Sequence, residues 1–325
     1  MTAFNAPWWA RNRHLQTLLP TWYKRNQQIP LEWEELTLSD GDFVDLAWHP
    51  TVQPPGEQQP LAIVFHGLEG SVHSPYAKCI LPALAAQGWA VVLVHFRGCS
   101  GRSNRQWRSY HSGDSAFAGE VIDTLAERFS NSPLLLLGYS LGGNLLANYL
   151  ADTPHSRVKG AALVSPPLDL AACSESIQRG FSRVYQHHLL SRMKRNLQRK
   201  IRQQQSAPLA PEQVAQWRNF WEFDQHYTAP AHGFAGADDY YQRCSGLGKL
   251  KHIAIPTLLL HSADDPFMDK RVIPQAHQLS AAVEYRLSDT GGHVGFVHGS
   301  LWRPRFWLEE AIPLWFSQQL QPANN

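Results

Sequence analysis

Gly138-Tyr139-Ser140-Leu141-Gly142 carries the strongest chemical signal in the chain. It follows the apolar run Leu134 to Leu137 and precedes Leu141 to Leu150, which has helical character. A serine on a strand-to-helix turn presents an exposed, nucleophilic hydroxyl. A Cβ at Gly138 or Gly142 would crowd that turn, and the N-terminus of the following helix favours a developing oxyanion. A hydroxyl is a weak nucleophile until a base takes its proton, so a histidine and an acid that orients it are needed. Two backbone N–H groups must also meet the oxyanion. Leu141, directly after the serine, supplies one candidate, and Leu68 in His66-Gly67-Leu68-Glu69-Gly70 supplies the other.

The surrounding pattern is one that can position such groups. Leu61-Ala62-Ile63-Val64-Phe65, Trp89 to Val94, Leu134 to Leu137 and Val158 to Val164 read as strands covered on both faces. Pro75 to Gln87, Asp114 to Phe129 and Leu141 to Leu150 read as the intervening helices. The alternation predicts an α/β fold with a mostly parallel central sheet and helices on both faces. Glu34 to Leu38 and Phe43 to Trp48, around Ser39-Asp40-Gly41-Asp42, read as an antiparallel hairpin, and Gln53 to Gln59 as a loop. The first 30 residues show no clear periodicity. Leu168 to Lys249 breaks the rhythm; it is helical, basic and aromatic, and reads as a cap inserted at about 168–250 into a single domain spanning 1–325. The strands resume at Thr257 to Leu260, with a helix expected near Lys270 to Leu279, a strand at Val283 to Leu287 and a closing helix over Arg305 to Leu320.

The two late strands run into Asp264-Asp265-Pro266 and into Gly291-Gly292-His293. Both sites fall at strand C-terminal ends, where open α/β sheets place their chemistry, and the order serine, acid, histidine fits. His293 is preferred to His298, which lies five residues further on, beyond Phe296. Position alone does not separate Asp264 from Asp265. His66 reads as a bracing residue.

Composition narrows the remaining classes. The chain has 43% hydrophobic and 17% charged residues and a net charge of +2, so no global field points to nucleic acid. The N-terminus lacks the apolar stretch of a secretory signal, and no run of about 18 apolar residues suggests a membrane span. The four cysteines, Cys79, Cys99, Cys173 and Cys244, form no CxxC pair; a reduced, cytoplasmic setting is expected. Cys99 reads as a packing residue, and Asp114 and Glu120 as helix-terminus and surface charges. No metal or cofactor is expected, since the sixteen histidines include no pair with zinc-ligand spacing. The basic stretch Lys194 to Arg202 reads as a solvated cap face, with a membrane-surface or anionic-substrate role as its alternative. Trp217, Phe220, Trp221 and Phe223 read as core, with an acyl pocket as the alternative.

With these residues in view, the chain resembles the α/β-hydrolase superfamily and, within it, the bacterial YheT-type hydrolases, whose branch includes eukaryotic abhydrolase-domain lipid esterases and plant embryogenesis-associated hydrolases. The motifs are His66-Gly67-Leu68-Glu69-Gly70, Phe96-Arg97-Gly98-Cys99-Ser100-Gly101, Gly138 to Asn144, Ala263-Asp264-Asp265-Pro266 and Gly291-Gly292-His293. The cap stretch Asp224 to Pro230, Tyr240-Tyr241 and Cys244-Ser245 match as well. The resemblance covers nearly the whole chain and implies hydrolysis of short acyl or lipid-like esters. Its pattern puts the acid directly before Pro266, which selects Asp265. The expected constellation is thus Ser140, Asp265 and His293, with Leu68 and Leu141 N–H groups as the oxyanion hole and a small-molecule ester as partner. A thioesterase or acyltransferase would use the same groups. A non-catalytic binding protein would be expected to have lost one of them.

Overall fold

The sheet has eight strands, in the order β1-β2-β4-β3-β5-β6-β7-β8. A computed structural model describes residues 3–50, 59–152, 154–204 and 207–321. Most of the expected loop over Gln53 to Gln59 lies outside these. β1 (Glu32–Thr37) and β2 (Phe43–Trp48) form the predicted antiparallel hairpin, which joins the sheet edge through β2 and β4. β3 (Leu61–Phe65), β4 (Ala90–Val94), β5 (Leu134–Tyr139), β6 (Val158–Val164), β7 (Thr257–Ser262) and β8 (Val283–Ser288) are all parallel. β3 lies between β4 and β5, so the strand order reverses there and opens a crevice at the strands' C-terminal ends.

Both faces of β3, β4 and β5 are apolar because both are covered. Leu61, Ile63, Phe65, Leu134 and Leu136 pack on one side with α3 (Ser115–Arg128) and α4 (Leu141–Asp152). Ala62, Val64, Leu135 and Leu137 pack on the other with α2 (Pro75–Ala85) and α11 (Leu308–Leu320). The alternation follows the two-residue period of a strand. The result is the expected α/β architecture, a mostly parallel central sheet with helices on both faces.

Between β6 and β7 the chain leaves the sheet and forms a run of short and long helices: α5 (Leu170–Ser176), α6 (Ser182–Gln203), α7 (Pro211–Gln216), α8 (Phe220–Phe223), a π-helical turn at Asp224–Thr228, α9 (Ala229–Ala231) and α10 (Ala237–Cys244). Leu190, Met193, Leu197 and Ile201 form one face of α6 and pack on Val214, Trp217, Phe223 and Tyr227. Trp217 and Phe223 are therefore core, whereas Trp221 is exposed. The basic stretch of α6 is not a uniform solvated face. Lys200 is buried, and its Nζ donates to Asn104 Oδ1 at 2.8 Å and to the Arg108 carbonyl at 2.9 Å. Burial pulls its ammonium down to about 7.

Three expectations need correction. The opening segment does contain a helix, α1 (Arg13–Tyr23), whose N-cap Asn12 side chain accepts from His14 and Leu15 N–H. The helix expected near Lys270 to Leu279 is only two 3-10 turns, Lys270–Val272 and Ala276–Gln278. Pro274 separates them, and a proline disfavours helical backbone in the residue before it. The closing helix starts at Leu308, because Arg303–Phe306 is β10, paired antiparallel with β9 (Val297–Ser300). Among the described residues, no helix is long and apolar enough to cross a membrane.

A Cβ on Gly142 would lie 2.5 Å from the Phe65 carbonyl oxygen and 2.6 Å from that of His66, both backbone atoms of the neighbouring strand end. Gly142→Ala should therefore lower stability by about 1–3 kcal/mol, read as a lower urea midpoint. Gly248→Ala, where a Cβ meets nothing within 4 Å, should stay within about 0.5 kcal/mol of wild type.

Candidate active site

Ser140 stands between the last residue of β5 and the first of α4, at φ 50°, a conformation that a non-glycine residue adopts only when its surroundings impose it. Its N–H donates to the Val164 carbonyl at 2.8 Å, and its own carbonyl accepts from Gly143 and Asn144 N–H. Asn144 is fully buried and locks the start of α4 to the end of α10 and the residues after it. Its Nδ2 donates to the Ser112 carbonyl at 2.9 Å and to the Cys244 carbonyl at 2.8 Å, while its Oδ1 accepts from Gly246 N–H.

The loop after β3 crosses directly over this turn. A Cβ on Gly67 would meet Ser140 Cβ at 3.1 Å, so the glycine permits the approach. Most N–H groups of the loop are committed. Gly67 N–H donates to Tyr76 Oη at 2.8 Å, Glu69 N–H to Tyr110 Oη at 3.0 Å, and Gly70 N–H to the Gly67 carbonyl at 2.9 Å. Leu68 N–H has no such partner among the described residues, and neither has Leu141 N–H. His66 holds the loop from below, as its bracing role predicts. Its Nε2 accepts from Phe96 N–H at 3.0 Å and its Nδ1 lies 2.7 Å from the Gly67 carbonyl, so the network assigns the proton to Nδ1. Burial pulls this imidazole down to about 3, so it stays neutral.

His293 arrives from the loop after β8. Its Nδ1 lies 2.8 Å from Asp265 Oδ2, and its ring stacks on Phe267 at 4.0 Å between centroids. Asp265 is 5% exposed, and its other oxygen accepts from Phe267 N–H at 2.8 Å. Asp264 plays a different part. Its Oδ1 accepts from Gly292 N–H at 2.9 Å and holds the backbone of the histidine loop. His298 lies on β9 with its Nε2 3.4 Å from Glu310 Oε1, paired outside the cleft. The support that α1 lends to the histidine loop is not foreseen from the sequence. Thr17 Oγ1 accepts from His293 N–H at 3.0 Å. Gln16, fully buried, donates to the Ala10 and Val297 carbonyls and accepts from Val297 N–H. Asn12, a favoured N-cap residue, is the signal that could have found that helix.

Ser140, His293, Leu68 and Leu141 all line one cavity of about 330 Å³. Among the described residues, no hydrogen bond joins Ser140 Oγ to His293. The imidazole uses Nδ1 for Asp265, which leaves Nε2 for the serine side. The remaining wall is mostly apolar and includes Ile80, Leu170, Leu189, Met193, Phe220 and Phe267. Phe220 thus belongs to the pocket. The charged groups in the wall are few. Burial raises Glu69, which accepts from Tyr110 Oη and from Asn196 of α6. Burial also raises Asp224 to about 6, and Tyr241 Oη donates to it at 2.7 Å. Cys99 is pushed well up by burial and does not present a thiolate. Outside this cavity, His111, Asp114 and His232 gather within 4.8 Å, where burial, reinforced by nearby arginine charge, lowers both imidazoles.

A family model for the alpha/beta hydrolase fold matches residues 60–300. "Putative esterase YheT" of Escherichia coli is 46% identical over 317 residues, covering 95% of this chain and 92% of that one. "Phospholipase ABHD3" of Bos taurus is 27% identical over 297 residues, covering 90% of this chain and 72% of its own. Among solved structures, the Pyrococcus furiosus esterase PF2001 superposes with a TM-score of 0.59 at 15% identity, covering 98% of this chain and 97% of that one. At that identity the likeness concerns the fold.

The buried, neutral His66 makes folding sensitive to acid. The unfolded chain takes up a proton below its ordinary value of 6.5, whereas the folded chain resists until about 3. The stability that His66 contributes is complete above 6.5 and is lost as pH falls through that window. Asp224, raised to about 6, acts in the opposite sense, so the useful comparison is between variants. Between pH 7 and pH 5 wild type should lose about 2 kcal/mol more than His66→Gln, measured by urea unfolding. Parallel pH dependence in the two proteins would show that His66 is protonated in the fold.

Proposed function

From the premise that the chain belongs to the alpha/beta hydrolase family, we propose that it is a serine esterase acting on short acyl or lipid-like carboxylic esters. In this reading His293 Nε2 removes the proton of Ser140 Oγ, which attacks the ester carbonyl. Leu68 and Leu141 N–H groups receive the oxyanion. Asp265 keeps the imidazole in the tautomer with its proton on Nδ1 and stabilises the imidazolium. The imidazolium then protonates the departing alcohol, leaving an acyl-serine. His293 next takes a proton from water as the water attacks the acyl carbonyl, and the imidazolium returns that proton to Ser140 Oγ as the acid departs. No cofactor enters this cycle, and the partner is a small ester.

The observation that carries the reading is the 2.8 Å Asp265–His293 contact, on an imidazole that shares a cavity wall with a serine at φ 50°. The lipid-like substrate class rests on the apolar wall and on the phospholipase among the relatives. A cytoplasmic location is part of the reading and rests on the four free thiols. Thioester cleavage or acyl transfer would use the same groups and differ only in the leaving group or acceptor.

Turnover of p-nitrophenyl esters from acetate to dodecanoate tests this. Ser140→Ala should lose at least about 100-fold in kcat, and the chain-length optimum should report the depth of the apolar cavity. Wild-type turnover that survives in Ser140→Ala would sink the assignment.

The two aspartates should separate as well. Asp265→Asn should lower kcat by on the order of 10⁴-fold, by analogy with other triads. Asp264→Asn keeps an oxygen that can accept from Gly292 N–H and should lose less than about tenfold. Equal losses would contradict the assignment of the acid to Asp265.

A further inference from the structure

Arg192 is the one lysine or arginine among the described residues that line the cavity. It lies on α6 four residues before Asn196, and residues so spaced share a helix face. Asn196 donates to Glu69, the residue after Leu68, so this face of α6 is held against the loop that carries a candidate oxyanion donor. Met193 beside it lines the same wall.

Each acid in that wall already has a partner. Glu69 is held by Tyr110 and Asn196, Asp224 by Tyr241, and Glu309 lies 3.8 Å from Lys24. Arg192 makes no ion pair or hydrogen bond with any described residue, although it is half-buried. Two other cations of this helix are tied down: Lys194 Nζ donates to the Ala215 and Trp217 carbonyls, and Lys200 to Asn104, whereas Arg199 Nε is also buried without a partner among the described residues. The charge of Arg192 reaches groups on both sides of Leu68, where it favours ionised Glu69 and Tyr76 against the burial that raises both. An unpaired guanidinium in an apolar cavity is stabilised by a ligand that brings the missing oxygens, and its planar fork suits carboxylate or phosphate.

We infer that Arg192 is an anion-recognition subsite within the cavity and that the preferred substrates are esters bearing a carboxylate or phosphate group in addition to the scissile bond. The inference rests on the esterase reading for its chemistry but not for its binding geometry.

Two measurements test it. The first compares kcat/KM for p-nitrophenyl hemiglutarate with that for p-nitrophenyl pentanoate, and for 1-octanoylglycerol 3-phosphate with that for 1-octanoylglycerol. The anionic-to-neutral ratio should fall about tenfold or more in Arg192→Gln and only partly in Arg192→Lys. It should keep its wild-type value in Arg195→Gln, on the exposed side of the helix. The pair with the larger fall identifies carboxylate or phosphate as the natural group. The second measurement needs no turnover: octyl phosphate or octanoate should raise Tm in wild type more than in Arg192→Gln, with octanol as the neutral reference. Ester cleavage with an unchanged ratio and an equal Tm response in both proteins would overturn the subsite and leave the esterase reading standing. An Arg192-dependent Tm response without cleavage of any ester would uphold the subsite and remove the esterase reading.

Discussion

Two backbones meet without side chains between them at the C-terminal ends of β3 and β5. Phe65 and Gly138 are paired in register, Gly142 packs under the Phe65 and His66 carbonyls, and Gly67 lies against Ser140 Cβ. Any Cβ at these glycines would push the two loops apart. Their contact brings Leu68 and Leu141 to one cavity and holds Ser140 at positive φ. Strain of this kind costs on the order of 1–3 kcal/mol and persists only where the surroundings over-determine it. Here the surroundings are the fully buried strands β3 and β5, the Ser140–Val164 hydrogen bond and the Asn144 anchor.

Much of this was legible in the sequence because the signals are local. Five apolar residues in Leu61 to Phe65 point to a strand covered on both faces, and the glycines around Ser140 sit where that strand's neighbour turns into a helix. The choice between Asp264 and Asp265 was not legible from position. Adjacent residues point apart, and only the folded loops show that one meets an imidazole while the other meets the Gly292 N–H. What escaped entirely is long-range. α1 packs on the histidine loop through Gln16, across 281 positions, and a single buried amide leaves no periodic trace. The 3-10 turns around Pro274 and the β10 residues Arg305 and Phe306 failed for the opposite reason. Their composition suggested helix, and local backbone geometry overruled it.

The region between β6 and β7 follows a different rule from the sheet. The apolar residues of α6, α7 and α8 form a cluster of their own, with Leu68 and Trp107 packed against it. The region is also tied to the body of the protein by polar bonds: Asn196 to Glu69, Lys200 to Asn104, Ser182 Oγ to the Pro266 carbonyl at 2.5 Å, and Tyr227 Oη to the Trp107 carbonyl at 2.9 Å. Such bonds add little net stability, since each group gives up water, but they are directional and expensive to break singly.

That directionality bears on the shape of the cavity. An apolar contact tolerates sliding of α6 along the body, whereas Asn196 and Lys200, four residues apart, fix the helix in both translation and rotation. Arg192, one further turn toward the N-terminus and about 6 Å along the axis, then has its place set by the same register. The strained Glu69, at φ 54°, is the pivot, because its side chain takes the hydrogen bond from α6 while its backbone continues from Leu68. The position of α6 and the orientation of the Leu68 N–H are therefore two ends of one short covalent and hydrogen-bonded path. In the proposed reading, a substrate that draws on Arg192 at one end would load the Leu68 loop at the other.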